Sequence, residues 1–238
     1  MTGWYAVAML VGLVLARLVW TRAHGQVLPA VTRARLTVLF VLALTGAFLG
    51  AKLAFLVAEG WHYRHDVWAL ASGRSVTGAL LGGYAAVEAG KRWLGHKSHT
   101  GDFFAWVVPV ALIAGRLGCF LEGCCPGIPL DEAWYTLSDA GGVSRWPAVP
   151  VEIVFNVGFL AWNALAARVA WAPGNRFHVY LMAYGAFRFG HELLRANATW
   201  VGPFGGYHLM ALALVVLGAW RYVGRRREPS GIIVADPE

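Results

Sequence analysis

Residues 115–127, GRLGCFLEGCCPG, place an arginine and all three cysteines of the chain where a long apolar run ends. Arg116 follows WVVPVALIAG with no other charge near it. A guanidinium keeps its proton, so inside a bilayer it is costly unless paired or reached by water. An arginine at a helix end can snorkel to the interface. One that faces a bundle interior instead offers a site for an anion. The second reading is favoured here, because other apolar runs of the chain also hold ionisable residues.

The richest of these is YGAFRFGHELLRAN, residues 184–197. Arg188, Glu192 and Arg195 are spaced i, i+4 and i+7, which predicts one shared helix face. His191 borders that face. Arg188 and Glu192 alone would make a buried ion pair, and desolvation offsets much of such a pair's attraction. Two arginines around one carboxylate leave surplus positive charge, which suits a phosphate. His191 is the candidate base, since an imidazole titrates near neutral pH. His208, His62 and His65 are weaker candidates. Glu152, with Asn156 one turn later, is expected to orient an arginine, Lys52 to snorkel or to meet Glu88 or Glu152, and Glu88 to lie near the inner interface.

The cysteines leave several readings open. Cys119–Cys124 closes a disulfide most easily if the helix ends between them. An odd count leaves one thiol over. Cys119 or Cys124 could instead act as a covalent or redox-active thiol. The spacing matches no recognised zinc pattern, and neither a metal nor another cofactor is expected.

These residues require a membrane scaffold. Hydrophobic residues make up 58% of the 238 and charged residues 14%, too apolar for an ordinary soluble domain. Apolar segments run roughly over 4–20, 36–58, 75–89, 103–121, 149–167, 177–194 and 204–222. The expected fold is therefore all-α and polytopic, with about seven transmembrane helices in one domain over 1–227 and a short cytoplasmic tail at 228–238. The third segment is short and glycine-rich (Gly78, Gly82, Gly83), and it starts earlier, near Val67, or is a broken or re-entrant segment buried in protein. Gly46 and Gly50, or Gly78 and Gly82, permit close helix contact. The net charge of +7 sits in short clusters between apolar runs, the pattern of topology signals and anionic-lipid contacts. No nucleic-acid motif is present. Arg22, Arg33 and Arg35, then Lys91, Arg92 and Lys97, then Arg168 and Arg176, then Arg221 and Arg225–Arg227 fall on one side. That asymmetry predicts an N-terminus outside and a C-terminus inside. Segment one reads as a retained span, not a signal peptide.

In order along the chain, these motifs resemble the bacterial prolipoprotein diacylglyceryl transferases. That family carries a signature close to GRIGNFINGELWGR, matched by residues 115–127, and a pattern like YGxxRFxxExxR, matched by Tyr184, Gly185, Arg188, Phe189, Glu192 and Arg195. PAVPVE, ending at Glu152, and GAKL, containing Lys52, echo two further elements. The resemblance implies an enzyme of the bacterial plasma (inner) membrane. It would move a diacylglyceryl group from phosphatidylglycerol, or another anionic phospholipid, to the lipobox cysteine of a preprolipoprotein at the outer face. Arg116 and Arg188 would stabilise the leaving phosphate, Tyr184 would orient the headgroup, Glu192 would hold the arginines and Gly127 would shape the pocket. The family's His-Gly-Gly element is here SVTGALLGG, with Thr77 at the position of the His, followed by Gly78 and Ala79. Within the signature, Cys119 and Glu122 stand where the family has asparagines, and Cys124 where it has an acidic residue. Two other classes compete: a non-catalytic phospholipid-binding accessory protein, and a membrane thiol–disulfide protein.

Overall fold

The computed structural model describes residues 7, 11, 12, 14, 15, 18, 33–95 and 100–227. Segment one falls mostly outside them, as do Arg22, Lys97 and the tail at 228–238. The helices with described bounds are α1 (Arg33–Ala58), α2 (Val67–Ser72), α3 (Val76–Trp93), α4 (Gly101–Leu121), α5 (Ala148–Arg168), α6 (Arg176–Glu192) and α7 (Gly206–Arg227). Two two-residue strands, β1 (Leu137–Ser138) and β2 (Ser144–Arg145), pair antiparallel between α4 and α5. Apart from this hairpin and a few isolated bridges, the described residues are helices and connecting loops, as an all-α fold requires.

Among the described residues, four helical stretches are long and apolar enough to cross a membrane: Thr37–Ala58, Gly101–Leu121, Ala148–Arg168 and Gly206–Arg226. They carry exposed large apolar side chains, among them Phe48, Leu49, Leu53 and Val57 on α1 and Leu209, Val216 and Trp220 on α7. A water-soluble surface would not present such continuous apolar faces. α3 and α6 are shorter, at 18 and 17 residues.

Local signals set the helix starts. Asp66 caps α2 by accepting from Ala69 N at 2.9 Å. Ser75 caps α3 by accepting from Gly78 N at 3.3 Å. Each side-chain oxygen satisfies an amide that has no partner within its helix. The third apolar segment, 75–89, falls in α3, and its extension back to Val67 is broken at Gly73–Ser75, which separate α2 from α3. Lys52 donates to the carbonyls of Leu70 and Ala71 at the end of α2. It meets neither carboxylate expected for it: Glu88 pairs with Lys91 (3.0 Å), Arg221 and Arg225, and Glu152 with two arginines described below. The lysine is held where helix carbonyls lack amide partners and the helix dipole is negative.

The chain divides into two compact units. The first comprises Met1–Pro29, Thr100–Tyr180 and Leu194–Ala196; the second comprises Ala30–His99, Leu181–Leu193 and Asn197–Glu238. In the first, Asp102 on α4 accepts from the Gly174 and Arg176 amides and pairs with the Arg176 guanidinium at 2.7 Å. In the second, α1 and α3 meet through glycines. A Cβ on Gly82 would lie 2.3 Å from Gly46 O, and one on Gly50 would lie 2.4 Å from Gly78 O. The backbones touch there, which only hydrogen at Cα permits.

Candidate active site

In the first unit, α4 supplies Arg116 and α5 supplies Glu152. Arg116 Nε lies 2.8 Å from Glu152 Oε1. Arg195 Nη1 reaches the other carboxylate oxygen at 3.9 Å. Glu152 is 0% exposed, and the two guanidiniums that face it offset the cost of burying a carboxylate. One turn along α5, buried Asn156 donates to Glu152 O and accepts from Tyr180 OH, each at 2.8 Å. The carboxylate thus stands on a fixed helix turn.

Arg195 departs from the helical reading. α6 ends at Glu192, a turn follows at 193–194, and Arg195 pairs antiparallel with Gly127. Ile128 N donates to Leu194 O at 3.1 Å and Ala196 N to Pro126 O at 3.4 Å. That pairing requires extended backbone, so Arg195 leaves the helix face it was expected to share with Arg188 and Glu192. The two arginines around one carboxylate are therefore Arg116 and Arg195 around Glu152.

Gly127 sits in the middle of this strip. Trp146 N donates to Ile128 O at 3.0 Å on its other side. A Cβ on Gly127 would lie 2.3 Å from Trp146 O. Glycine is needed because the two backbones approach so closely. Arg145 Nη1 donates to Gly127 O at 3.2 Å, and Arg145 also pairs with Asp139. That Arg145 hydrogen bond, with the Val143 amide next, holds the Asp139 carboxyl below its ordinary pKa.

The three cysteines are free thiols. α4 ends at Leu121, and Gly123 (φ 63°) turns the chain back. Cys124 N and Sγ then both reach Cys119 O, at 3.1 and 3.5 Å. Cys125 also takes a left-handed conformation (φ 63°), uncommon for a residue with a Cβ. Arg116 Nη1 lies 3.8 Å from Cys125 Sγ. The Cys119 and Cys124 thiols, then Arg195 and Arg116, hold the Cys125 thiol far below the usual range. Cys124 is pushed up, first by its bond with Cys119. Sequence reasoning named Cys119 and Cys124 and passed over Cys125, the thiol that touches an arginine. Its place directly after Cys124 in the same motif was the only sequence signal for it.

The second unit holds the remaining candidates. Arg188 Nη2 and Glu192 Oε2 form a buried pair at 2.7 Å, and Asn197 donates to Glu192 Oε1. His191 is buried and stacks on Phe187 with centroids 4.9 Å apart. Tyr184 is fully buried beside Phe187. Thr77 Oγ1 is engaged with Ser75 Oγ at 2.8 Å, and Gly78 packs on α1. Glu59, absent from the sequence candidates, accepts from Ala198 N (2.8 Å) and Tyr207 OH (3.0 Å).

The family model for prolipoprotein diacylglyceryl transferase matches residues 2–223. The chain belongs to this family. Similar proteins include the phosphatidylglycerol–prolipoprotein diacylglyceryl transferase of Rhodospirillum centenum, 30% identical over 96% of this chain and 88% of the relative. The protein of that name from Bordetella bronchiseptica is 29% identical over 95% of this chain and 92% of the relative. The one from Vibrio parahaemolyticus is 27% identical over 92% and 86%. This family membership, together with the four apolar helices, makes the chain a bacterial membrane protein and an enzyme of the diacylglyceryl transferase type.

Proposed function

We propose that the protein transfers a diacylglyceryl group from phosphatidylglycerol to the lipobox cysteine of a preprolipoprotein, at the outer face of the inner membrane. The observation that carries this reading is the Arg116–Glu152–Arg195 cluster. Arg195 is buried, yet its Nε and Nη1 have no hydrogen-bond partner among the described residues. Buried donors of a charged group cost several kcal/mol when unmade, about 1–3 or more each. A phosphate diester brings the acceptors that would satisfy them.

In the reaction, the acceptor thiolate sulfur bonds to the glycerol carbon that carries the phosphate oxygen. The carbon–oxygen bond breaks, and glycerol phosphate departs with the electron pair. Negative charge grows on the leaving phosphate, so fixed guanidiniums lower the barrier. Arg116 and Arg195 serve this role in our reading, with Glu152 fixing their direction. By motif position Arg188, held by Glu192, carries a phosphate-binding role and Tyr184 a headgroup-orienting one, while His191, three residues from Arg188 on the same helix, is the candidate base. Seven spans, with the N-terminus outside, would put the 122–147 loop on the outer side, where lipoprotein precursors arrive.

A second reading is a lipid-binding accessory protein. It is favoured by Thr77, whose hydroxyl stands at the family's His position and is engaged with Ser75. A reconstituted assay with labelled phosphatidylglycerol and a lipobox peptide separates the two. Thioether-linked peptide, with turnover reduced roughly 100-fold or more in Arg116→Ala and Arg195→Ala, is the expected result. Arginine-dependent release of glycerol phosphate without lipidated peptide would move the acceptor elsewhere. Lipid bound without turnover would overturn the catalytic reading.

A further inference from the structure

The same turn that closes α4 gathers every sulfur of the cysteine set. Cys119, Cys124 and Cys125 have sulfur atoms all within 4.8 Å of one another. No His or carboxylate shares the cluster among the described residues. We infer that this cluster is a binding site for a soft, thiophilic monovalent metal ion, Cu(I) in the first instance.

Distance supports three-coordinate binding. Metal–sulfur bonds of about 2.3 Å in a trigonal plane put the sulfurs about 4 Å apart. The free cluster reaches that spacing by closing less than about 1 Å, within the reach of side-chain rotation. Zinc in a closed structural site takes four ligands, and this cluster supplies three. Thiolate-only coordination selects the soft ion.

Charge supports it independently. Three thiolates around a monovalent cation leave a net charge of −2, which is costly at a half-buried site unless cations stand beside it. Arg116 Nη1 lies 3.8 Å from Cys125 Sγ, and Arg195 adds a second positive charge near the same sulfur. Backbone geometry agrees as well. The left-handed Cys125 is a strained residue that the surrounding turn maintains, and such strain gathers at functional sites.

The spacing C-x4-C-C resembles no zinc motif. It becomes a ligand set only because the helix stops after Leu121 and the chain reverses at Gly123. The site does not depend on the transferase reading, and its test does not use turnover.

The test is a titration of reduced, full-length protein in detergent with Cu(I) under anaerobic conditions, in competition with a chromogenic Cu(I) chelator. These three are the only cysteines in the chain, so any thiolate-to-metal charge-transfer band reports this cluster. One equivalent bound, with apparent affinity lowered roughly tenfold or more in each of Cys119→Ser, Cys124→Ser and Cys125→Ser, is expected. A measurement on the unaltered protein covers variants that fail to fold: bound Cu(I) should protect all three thiols from iodoacetamide, read by mass spectrometry. No charge-transfer band, protection of fewer than three thiols, or affinity indifferent to the serine substitutions would overturn the site.

Discussion

Glu152 is the residue on which the first unit's charges turn. A buried carboxylate between two guanidiniums makes all three groups interdependent, so removing one leaves another charged and unpaired. Glu152→Ala should destabilise the protein by about 3–5 kcal/mol, the usual cost of breaking a buried pair. Adding Arg116→Ala to that variant should cost much less than Arg116→Ala costs in the native protein, because its charge has already lost its partner. Thermal unfolding of the four proteins in detergent checks this. Additive losses would mean that the ion pair does not govern Arg116. The sequence already suggested that Glu152 orients an arginine, since an acid in an apolar run needs a partner. It did not identify Arg195 as the second, because helical periodicity assumed that the helix continued past Glu192.

The elements are held at contacts that leave no room for a methyl group. On α3, a Cβ at Gly82 would meet backbone atoms of α1, the carbonyl oxygen of Gly46 at 2.3 Å and the Cα of Gly50 at 2.8 Å. Backbone cannot rotate aside as a side chain can, so Gly82→Ala should cost about 1–3 kcal/mol by forcing the helices apart. Gly158 on α5 is the contrast. Nothing lies within 4 Å of its Cβ position. Gly158→Ala should therefore leave the melting temperature unchanged or raise it, by at most about 1 kcal/mol of helix propensity. A fall in both variants, or in neither, would contradict this account of helix contact. The glycine pairs Gly46/Gly50 and Gly78/Gly82 were legible as small-residue spacing. That they face each other was not, since spacing names a face and not its partner.

At the scale of the whole molecule, orientation follows from where basic residues lie between spans. The proposed topology puts the exposed Cys124 on the outer side. In a protein with Cys119→Ser and Cys125→Ser, a membrane-impermeant maleimide should label Cys124 in intact, right-side-out cells. Labelling only in inverted vesicles would reverse the topology, and with it the outer-face chemistry. The proposal of lipoprotein lipidation would fall too, while the metal site would stand.

Sequence alone determined the membrane class, because an apolar composition with charges gathered between spans has few other solutions. It determined the family through motif order, and the six apolar runs after the first became helices close to the ranges read from it. It also determined which ionisable residues had to find partners, because desolvation permits no alternative. Tertiary structure decided which partners they found. The reversal at Gly123 brought three sulfurs together across a spacing that is no motif. The pairing of 194–196 with 126–128 drew Arg195 out of its helix and onto Glu152. Both events depend on backbone leaving regular helix: at Gly123 a left-handed residue reverses the chain, and at 194–196 hydrogen bonds to residues far along the chain replace helical ones. Periodicity describes only the local bonds, so it carries no information about those exchanges.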